Sequence, residues 1–298
     1  MPNQVLIDKA KEMGFIAVGF SEPTTPAYFE FFSRWLEDAA LGAISYLRKH
    51  TDIRKDPARL LEGTQTIISL AYPYPAAKPS TPDGYAASRY AVPEKHDYHF
   101  RLRKLGKDLR ACIAELFPGS RSRVCVDTAP ILERSFAAMS GIGFIGKNNM
   151  LIIPGFGSYC YLVEILTTAR FPIPSLKEPE SQCGSCTKCI DSCPTGALTA
   201  PFRLDVNRCL SYLTIEFRDD IDERFAKRMG NTFFGCDVCQ EVCPFNKQES
   251  GRVTLPTIRD ILEMSEADFE KSFGRSAFQR AGLKKVKGNI YALLGKKK

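Results

Sequence analysis

"CGSCTKCIDSCPTGAL", residues 183–198, is the stretch from which the rest of the chain is read. Cys183, Cys186, Cys189 and Cys193, followed by Pro194, have the spacing C-x2-C-x2-C-x3-C-P. In this ferredoxin run three cysteines on one tight loop hold a 4Fe-4S cube, and the fourth, leaving on a helix, ligates a second cube. A later echo, "GCDVCQEVCPFN" (235–246), holds only Cys236, Cys239 and Cys243. Applied in reverse, the crossing rule makes Cys243 the closing ligand of cluster 1, with Cys183, Cys186 and Cys189. Cys193, Cys236 and Cys239 then form cluster 2, one ligand short. Cys209, in "NRCLSYLTIE", is the only other cysteine between the motifs and is assigned as the fourth. Four-thiolate zinc sites also use C-x-x-C pairs, and cysteines can be plain core residues. Two runs that each close with C-x3-C-P favour clusters. Cys112, Cys125 and Cys160 have no partner at ligand spacing and are expected in the core.

Eight of the eleven cysteines fall between residues 183 and 243. The opening "MPNQVLIDKAKEMG" mixes charge into its apolar pattern, unlike an export signal. Metal ligation is therefore favoured over disulfides. No apolar run approaches the roughly 18 residues of a transmembrane helix. The expectation is a cytoplasmic protein with no membrane role. The net charge of +7 is concentrated at one end: nine Lys and Arg and no acid lie between Lys271 and Lys298. Such a basic tail suits an anionic partner such as nucleic acid, or is simply a solvated, frayed terminus.

Residues 1–170 alternate helical and extended patterns, an α+β reading. "FIAVGF", "TIISLAYPY", "RVCVDT", "MLIIP" and "YCYLVEILTT" read as strands; "NQVLIDKAKEMG", "DYHFRLRKLGKDLRACIAELF" and "PILERSFAAMSG" read as amphipathic helices. "YPYPAAKPSTPDGY" (72–85) reads as a proline-rich surface loop. The proline-rich "RFPIPSLKEPE" (170–180) marks a boundary. Three segments result: a domain of residues 1–170, a cysteine domain of 171–250, and C-terminal helices with the basic tail over 251–298. "TIRDILEMSEADFEKSF" is expected as one helix.

Two adjacent clusters form a wire, and its terminus is sought in the first domain. "GIGFIGK" (141–147) matches G-x-G-x-x-G but follows a helix instead of a strand, and as a P-loop it lacks Ser or Thr at Asn148. A glycine-rich turn is the better reading. In "VDTAPILER", Asp127 ends an apolar strand ahead of Pro130. Asp127 or Thr128 capping the next helix competes with a pocket-facing carboxyl whose pKa is raised enough to donate a proton. His99 starts a helix, where packing or capping competes with function, and the three histidines are too scattered for a metal site.

Taken together, "VDTAPILER", "GIGFIGKNNMLI", "GSYCYLVEILT", "CGSCTKCIDSCPTGAL", "NRCLSYLTIE" and "GCDVCQEVCPFN", in that order, resemble the epoxyqueuosine reductases. The resemblance covers nearly the whole chain and is to a short form, lacking the helical-repeat domain that many members carry. It implies a nitroreductase-like cobalamin-binding domain followed by a ferredoxin-like two-cluster domain. The implied reaction is reduction of epoxyqueuosine to queuosine at the wobble position of tRNA. The implied cofactors are cobalamin and two 4Fe-4S clusters, with reduced flavodoxin or ferredoxin as electron donor and a monomeric enzyme. By motif, Asp127 is the expected proton donor and Arg134 a substrate- or phosphate-orienting residue. Lys49, Tyr98, His99, Ile152, Ser158, Val163, Ser211 and Tyr212 are the implied cobalamin contacts, several through backbone, with Lys147 and Asn148 ending the glycine-rich turn nearby. Val163 stands where the family commonly has glycine. Rival readings are a reductive dehalogenase-like enzyme with the same cofactors and an iron-sulfur electron carrier.

Overall fold

The computed structural model describes residues 1–38, 41–75, 77–93, 97–175, 180–247 and 251–296. Twelve strands are formed among them: β1 Ala17–Ser21, β2 Thr66–Pro73, β3 Lys78–Ser80, β4 Ala86–Ala87, β5 Ser122–Cys125, β6 Phe144–Ile145, β7 Leu151–Ile152, β8 Cys160–Thr167, β9 Leu198–Ala200, β10 Arg203–Leu204, β11 Thr232–Phe234 and β12 Arg252–Thr254. The near-continuous apolar run of β8 is that of a strand covered on both faces. It lies inside an antiparallel sheet of order β1-β2-β8-β5. Val163 and Ile165 pack with Leu6, Leu102, Leu109 and Ile113 of helices Pro2–Glu12 and Tyr98–Leu116. On the opposite face Leu166 and Cys125 meet Phe136 of helix Glu133–Met139.

Gly106 sets how closely helix Tyr98–Leu116 approaches the sheet. A Cβ there would lie 2.5 Å from the Cγ1 atom of Val124 in β5. The helix therefore sits directly on β5, and its first turn lies beside the residues that follow this strand.

Residues 72–85 are not the surface loop that their prolines suggest. Lys78–Ser80 is the interior strand β3 of a second sheet, ordered β11-β4-β3-β12. Lys78 donates its N–H to Gly251 and Ser80 accepts from Leu255, so both face β12. The intervening Pro79 turns its missing donor to the other side, where β4 pairs only with Ser80. This sheet joins the expected first, second and third segments in one unit. Its core unites Ala87 and Ala91 with Phe233, Phe234, Phe278, Val286 and Ile290. The linear division at 170 and 250 thus separates stretches of chain that pack together; of the expected linker 170–180, residues 176–179 lie outside the described residues.

The C-terminal segment differs from expectation in two respects. Residues 257–273 form two helices, Ile258–Glu263 and Glu266–Phe273, because Ser265 starts a new capping box with Asp268 as Thr257 does with Asp260. The basic tail is mostly the packed helix Phe278–Leu293, whose Phe278, Leu283, Val286, Asn289 and Ile290 are buried. Lys297 and Lys298 lie outside the described residues.

Candidate active site and cluster sites

Asp127 follows β5 in the left-handed region, with φ of 55°. This conformation is uncommon for a residue with a side chain. Asp127 is the middle residue of a tight turn in which Thr128 donates its N–H to the Val126 carbonyl at 2.6 Å. The turn aims the carboxyl back at helix Tyr98–Leu116. Neither Asp127 nor Thr128 caps the following helix, whose N-cap is Leu132 with no side-chain bond. The capping alternative for Asp127 is thereby replaced by a cavity-facing one.

His99 connects two carboxylates. Its Nε2 lies 2.9 Å from Asp127 Oδ2 and its Nδ1 lies 2.6 Å from Asp97 Oδ1. Asp97 itself caps the helix by accepting the His99 N–H at 2.9 Å. Burial works against a charged imidazole, but the hydrogen bonds to Asp127 and Asp97 outweigh it and push His99 up to about 9. The hydrogen bond from His99 is also the largest influence on Asp127, and it lowers that carboxyl's pKa. Of the two sequence readings, the raised Asp127 pKa is thus corrected: the carboxyl is lowered, and at neutral pH the proton rests on the imidazole. Arg280, from the C-terminal helix, lies 3.6 Å from Asp127 and pairs with Glu216 at 2.6 Å.

These groups line a cavity of about 820 Å³. Tyr98, His99, Asp127 and Arg134 line it together with Cys209, Ser211 and Tyr212. Tyr212 is oriented by the Ala43 N–H, which its hydroxyl accepts at 3.0 Å. Arg134 donates to the Asn149 carbonyl. Four of the expected cofactor contacts do not reach this cavity. Val163 is fully buried in the sheet core because alternation turns it toward the helical face. Ser158 is buried and engaged with Gln240 at 2.9 Å. Ile152 lines the thiol site described below. Lys49 ends a short 3-10 helix and offers its carbonyl to Arg54.

The eight cysteines fall into two groups, none of them in a disulfide. Cys183, Cys186, Cys189 and Cys243 surround a small cavity of their own. Cys236 is pushed up to about 12 by burial and then by the charges of Cys209, Asp237 and Cys193. Cys239 is raised by burial, then by Cys236 and Cys209 of its own group, and also by Cys189 of the other, so the two sites adjoin. The same crossed pairing follows from the spacing. Soft thiolates in this number suit iron-sulfur chemistry.

The missing ligand also finds its explanation. The two runs fold alike: Cys193 and Cys243 each close a short helix by donating N–H to Ile190 and Gln240, and Gly196 and Asn246 then bond back to the two cysteines. In this correspondence Phe233 occupies the place of Cys183. Phe233 is fully buried in β11 against the C-terminal helices. The position thus serves the core, and Cys209, preceding helix Leu210–Ile215, joins the group from the side.

From the sequence Lys147 and Asn148 are assigned to the cobalamin site only through the turn they end. In the structure Lys147 Nζ donates to the carbonyls of Gly184 at 2.6 Å and Cys186 at 2.9 Å, and Asn148 Nδ2 donates to Cys239 at 3.1 Å. The turn therefore fastens both thiol loops to the sheet domain. The only sequence signal is a Lys-Asn pair after a glycine-rich turn.

Two family models match the chain: a 4Fe-4S double cluster binding domain over residues 182–246 and an epoxyqueuosine reductase model over 54–128. An epoxyqueuosine reductase of Leadbetterella byssophila is 34% identical over 94% of this chain and 94% of its own length. The chain belongs to the epoxyqueuosine reductase family. Epoxyqueuosine reductases are oxidoreductases, and the Pseudomonas aeruginosa member is 35% identical over 98% of this chain and 84% of its own. The epoxyqueuosine reductase structure from Streptococcus thermophilus superposes with a TM-score of 0.88 at 29% identity, covering 98% of this chain and 80% of that one. An epoxyqueuosine reductase solved with a modified tRNA-Tyr stem loop superposes at 0.83 with 31% identity and the same coverage. The mixed α and β fold with an iron-sulfur domain is thus the family's.

Proposed function

We propose that the protein reduces epoxyqueuosine to queuosine at the wobble position of tRNA, with electrons entering through two 4Fe-4S clusters and cobalamin as the reducing cofactor. The observation that carries this reading is the cavity itself, lined both by the hydrogen-bonded His99–Asp127 pair and by Cys209, the assigned fourth ligand of the second cluster. The family membership and the relative solved with a tRNA stem loop support the substrate. Members of the family are named for this epoxide.

The cavity fits a large polar cofactor because its walls mix aromatic faces with hydroxyl, carboxylate and guanidinium groups. Tyr98, His99, Asp127, Arg134, Ser211 and Tyr212 would hold cobalamin and the modified base between them. Bound cobalamin supplies the two-electron reducing chemistry. The protein supplies position and protons. Asp127, recharged from His99, gives a proton to the epoxide oxygen as its C–O bond breaks, which avoids expelling hydroxide. Overall the reduction takes two electrons and two protons, leaves an alkene and releases water.

The nitroreductase-like description of the cobalamin-binding domain belongs to this proposal, as do a monomeric state and reduced flavodoxin or ferredoxin as donor. Among the described residues no helix is long and apolar enough to cross a membrane, and a tRNA substrate suits a cytoplasmic reaction. The deciding experiment incubates the reconstituted protein anaerobically with cobalamin, a strong reductant and epoxyqueuosine tRNA, and reads the nucleoside by mass. Loss of one oxygen supports the reading; an unchanged mass with clusters and cobalamin bound overturns it. Failure to retain cobalamin would favour the electron-carrier reading.

A further inference from the structure

We infer that Glu133 is the positioning residue that holds the Asp127 turn in its cavity-facing conformation, by accepting the Asp127 backbone N–H on its side chain. This deepens the proposal above and rests on Asp127 being the acid. The Glu133 Oε1 to Asp127 N distance is 2.6 Å. The bond reaches back six positions from the first residue of helix Glu133–Met139. That helix is anchored, since Phe136, Ala137 and Ala138 are fully buried against the sheet. Asp127 is therefore tied to a fixed point beneath it.

The turn needs such a tie. A left-handed φ at a non-glycine residue persists only when its surroundings over-determine it. Within the turn the Thr128–Val126 bond holds the shape of the loop but does not fix where the loop lies. Arg103 Nη2 adds a bond to Thr128 Oγ1 at 2.8 Å, from an exposed side chain on the far side. Glu133 supplies the inner contact. In a Bacillus subtilis epoxyqueuosine reductase of TM-score 0.83, the loop bearing the catalytic aspartate is swung out of the active site. A loop that can occupy two places gives a latch something to select.

The charge facing Glu133 is mixed. Burial and the Asp127 carboxylate raise its pKa, with the bond from the Asp127 N–H, Arg134 and His99 opposing. Glu164 lies under the helix with no exposed surface, and its carboxyl, without a hydrogen-bond partner among the described residues, is raised by burial and by Glu133. Ionised or neutral, Glu133 keeps an oxygen that accepts the Asp127 N–H. The role is thus one of hydrogen bonding, which glutamine can reproduce and alanine cannot.

Hydrogen exchange of residues 125–132, followed by mass spectrometry on the purified protein, tests this without requiring turnover. Glu133→Ala should speed exchange of the segment by about tenfold, the cost of one missing hydrogen bond. Glu133→Gln should restore protection. In the tRNA assay Glu133→Ala should lower kcat with little change in KM, and Glu133→Gln should recover most of the loss. Wild-type protection in the alanine variant overturns the proposal. So does a glutamine variant as unprotected as alanine, because the role would then be electrostatic. If Asp127→Ala proved fully active, the functional reading would fall while the exchange result still tested the latch.

Discussion

At the residue scale the chemistry depends on where one proton rests. His99 is raised above its unfolded value, so its ion pairs with Asp127 and Asp97 contribute stability that is complete below about pH 6.5 and is lost as pH rises through about 9. In the proposed mechanism the proton for the substrate is lost over the same interval, and kcat should fall as pH passes about 9. The three groups titrate together, so the observed value belongs to the set. Removing the imidazole should shift that limb. In His99→Ala the Asp127 carboxyl loses its main stabilising partner but also its proton source, and kcat should decline from a lower pH than in the wild type. A basic limb that stays near 9 in His99→Ala removes His99 from the proton supply. Asp127→Ala should retain iron and cobalamin and lose about 100- to 10,000-fold in kcat, the range of a single general acid. Near-normal conversion by that variant would exclude Asp127 from the mechanism. The sequence showed Asp127 at a strand end but not its partner. His99 stands 28 positions away, and their meeting depends on Gly106 admitting the helix against Val124.

At the scale of elements, the ferredoxin run made the two thiol groups legible because ligand spacing is set by the cube and little else. Cys209→Ser should therefore lose iron from one cluster and leave the other's resonance signal intact; full iron content with an unaltered spectrum would sink that assignment. Lys147→Met gives a complementary test of the glycine-rich turn, whose fastening role has no pattern of its own. With the bonds to Gly184 and Cys186 gone, the cluster assigned to Cys183, Cys186, Cys189 and Cys243 should become more labile to chelator, while the second is unaffected. Equal lability of both clusters would mean that Lys147 fastens the domain as a whole. What the sequence hid was long-range pairing. β3 looked like a proline loop because its partners β4 and β12 are two residues and three residues long and one lies some 170 positions away. Short strands carry almost no periodic signal of their own, and their register is fixed by the unit they join.

For the whole molecule, the uneven charge has to be apportioned between folding and partner binding. Several tail cations are already engaged: Lys285 Nζ donates to the Asp219 carbonyl at 3.0 Å, Lys287 Nζ to Met264 at 2.7 Å, and Arg280 pairs with Glu216. Truncation before Lys284 would also remove buried Val286, Asn289 and Ile290, so it should destabilise the protein and cannot isolate an electrostatic role. The better-placed cations lie on helix Tyr98–Leu116, where Arg103, Lys107 and Arg110 are exposed and follow one face away from the turn at Thr128. We propose that this face, which adjoins the Asp127 turn through Arg103, meets the phosphates of the tRNA. Each phosphate neutralised there releases counterions and steepens the salt dependence of binding. Replacing Lys107 and Arg110 with glutamine should weaken tRNA binding and flatten the slope of log affinity against log salt by about 0.7 to 0.9 for each phosphate no longer neutralised. Folding and cluster content should stay unchanged, because neither side chain is buried. An unaltered slope would place the phosphate-binding cations elsewhere, and Lys284, exposed on the C-terminal helix, would be the next to replace.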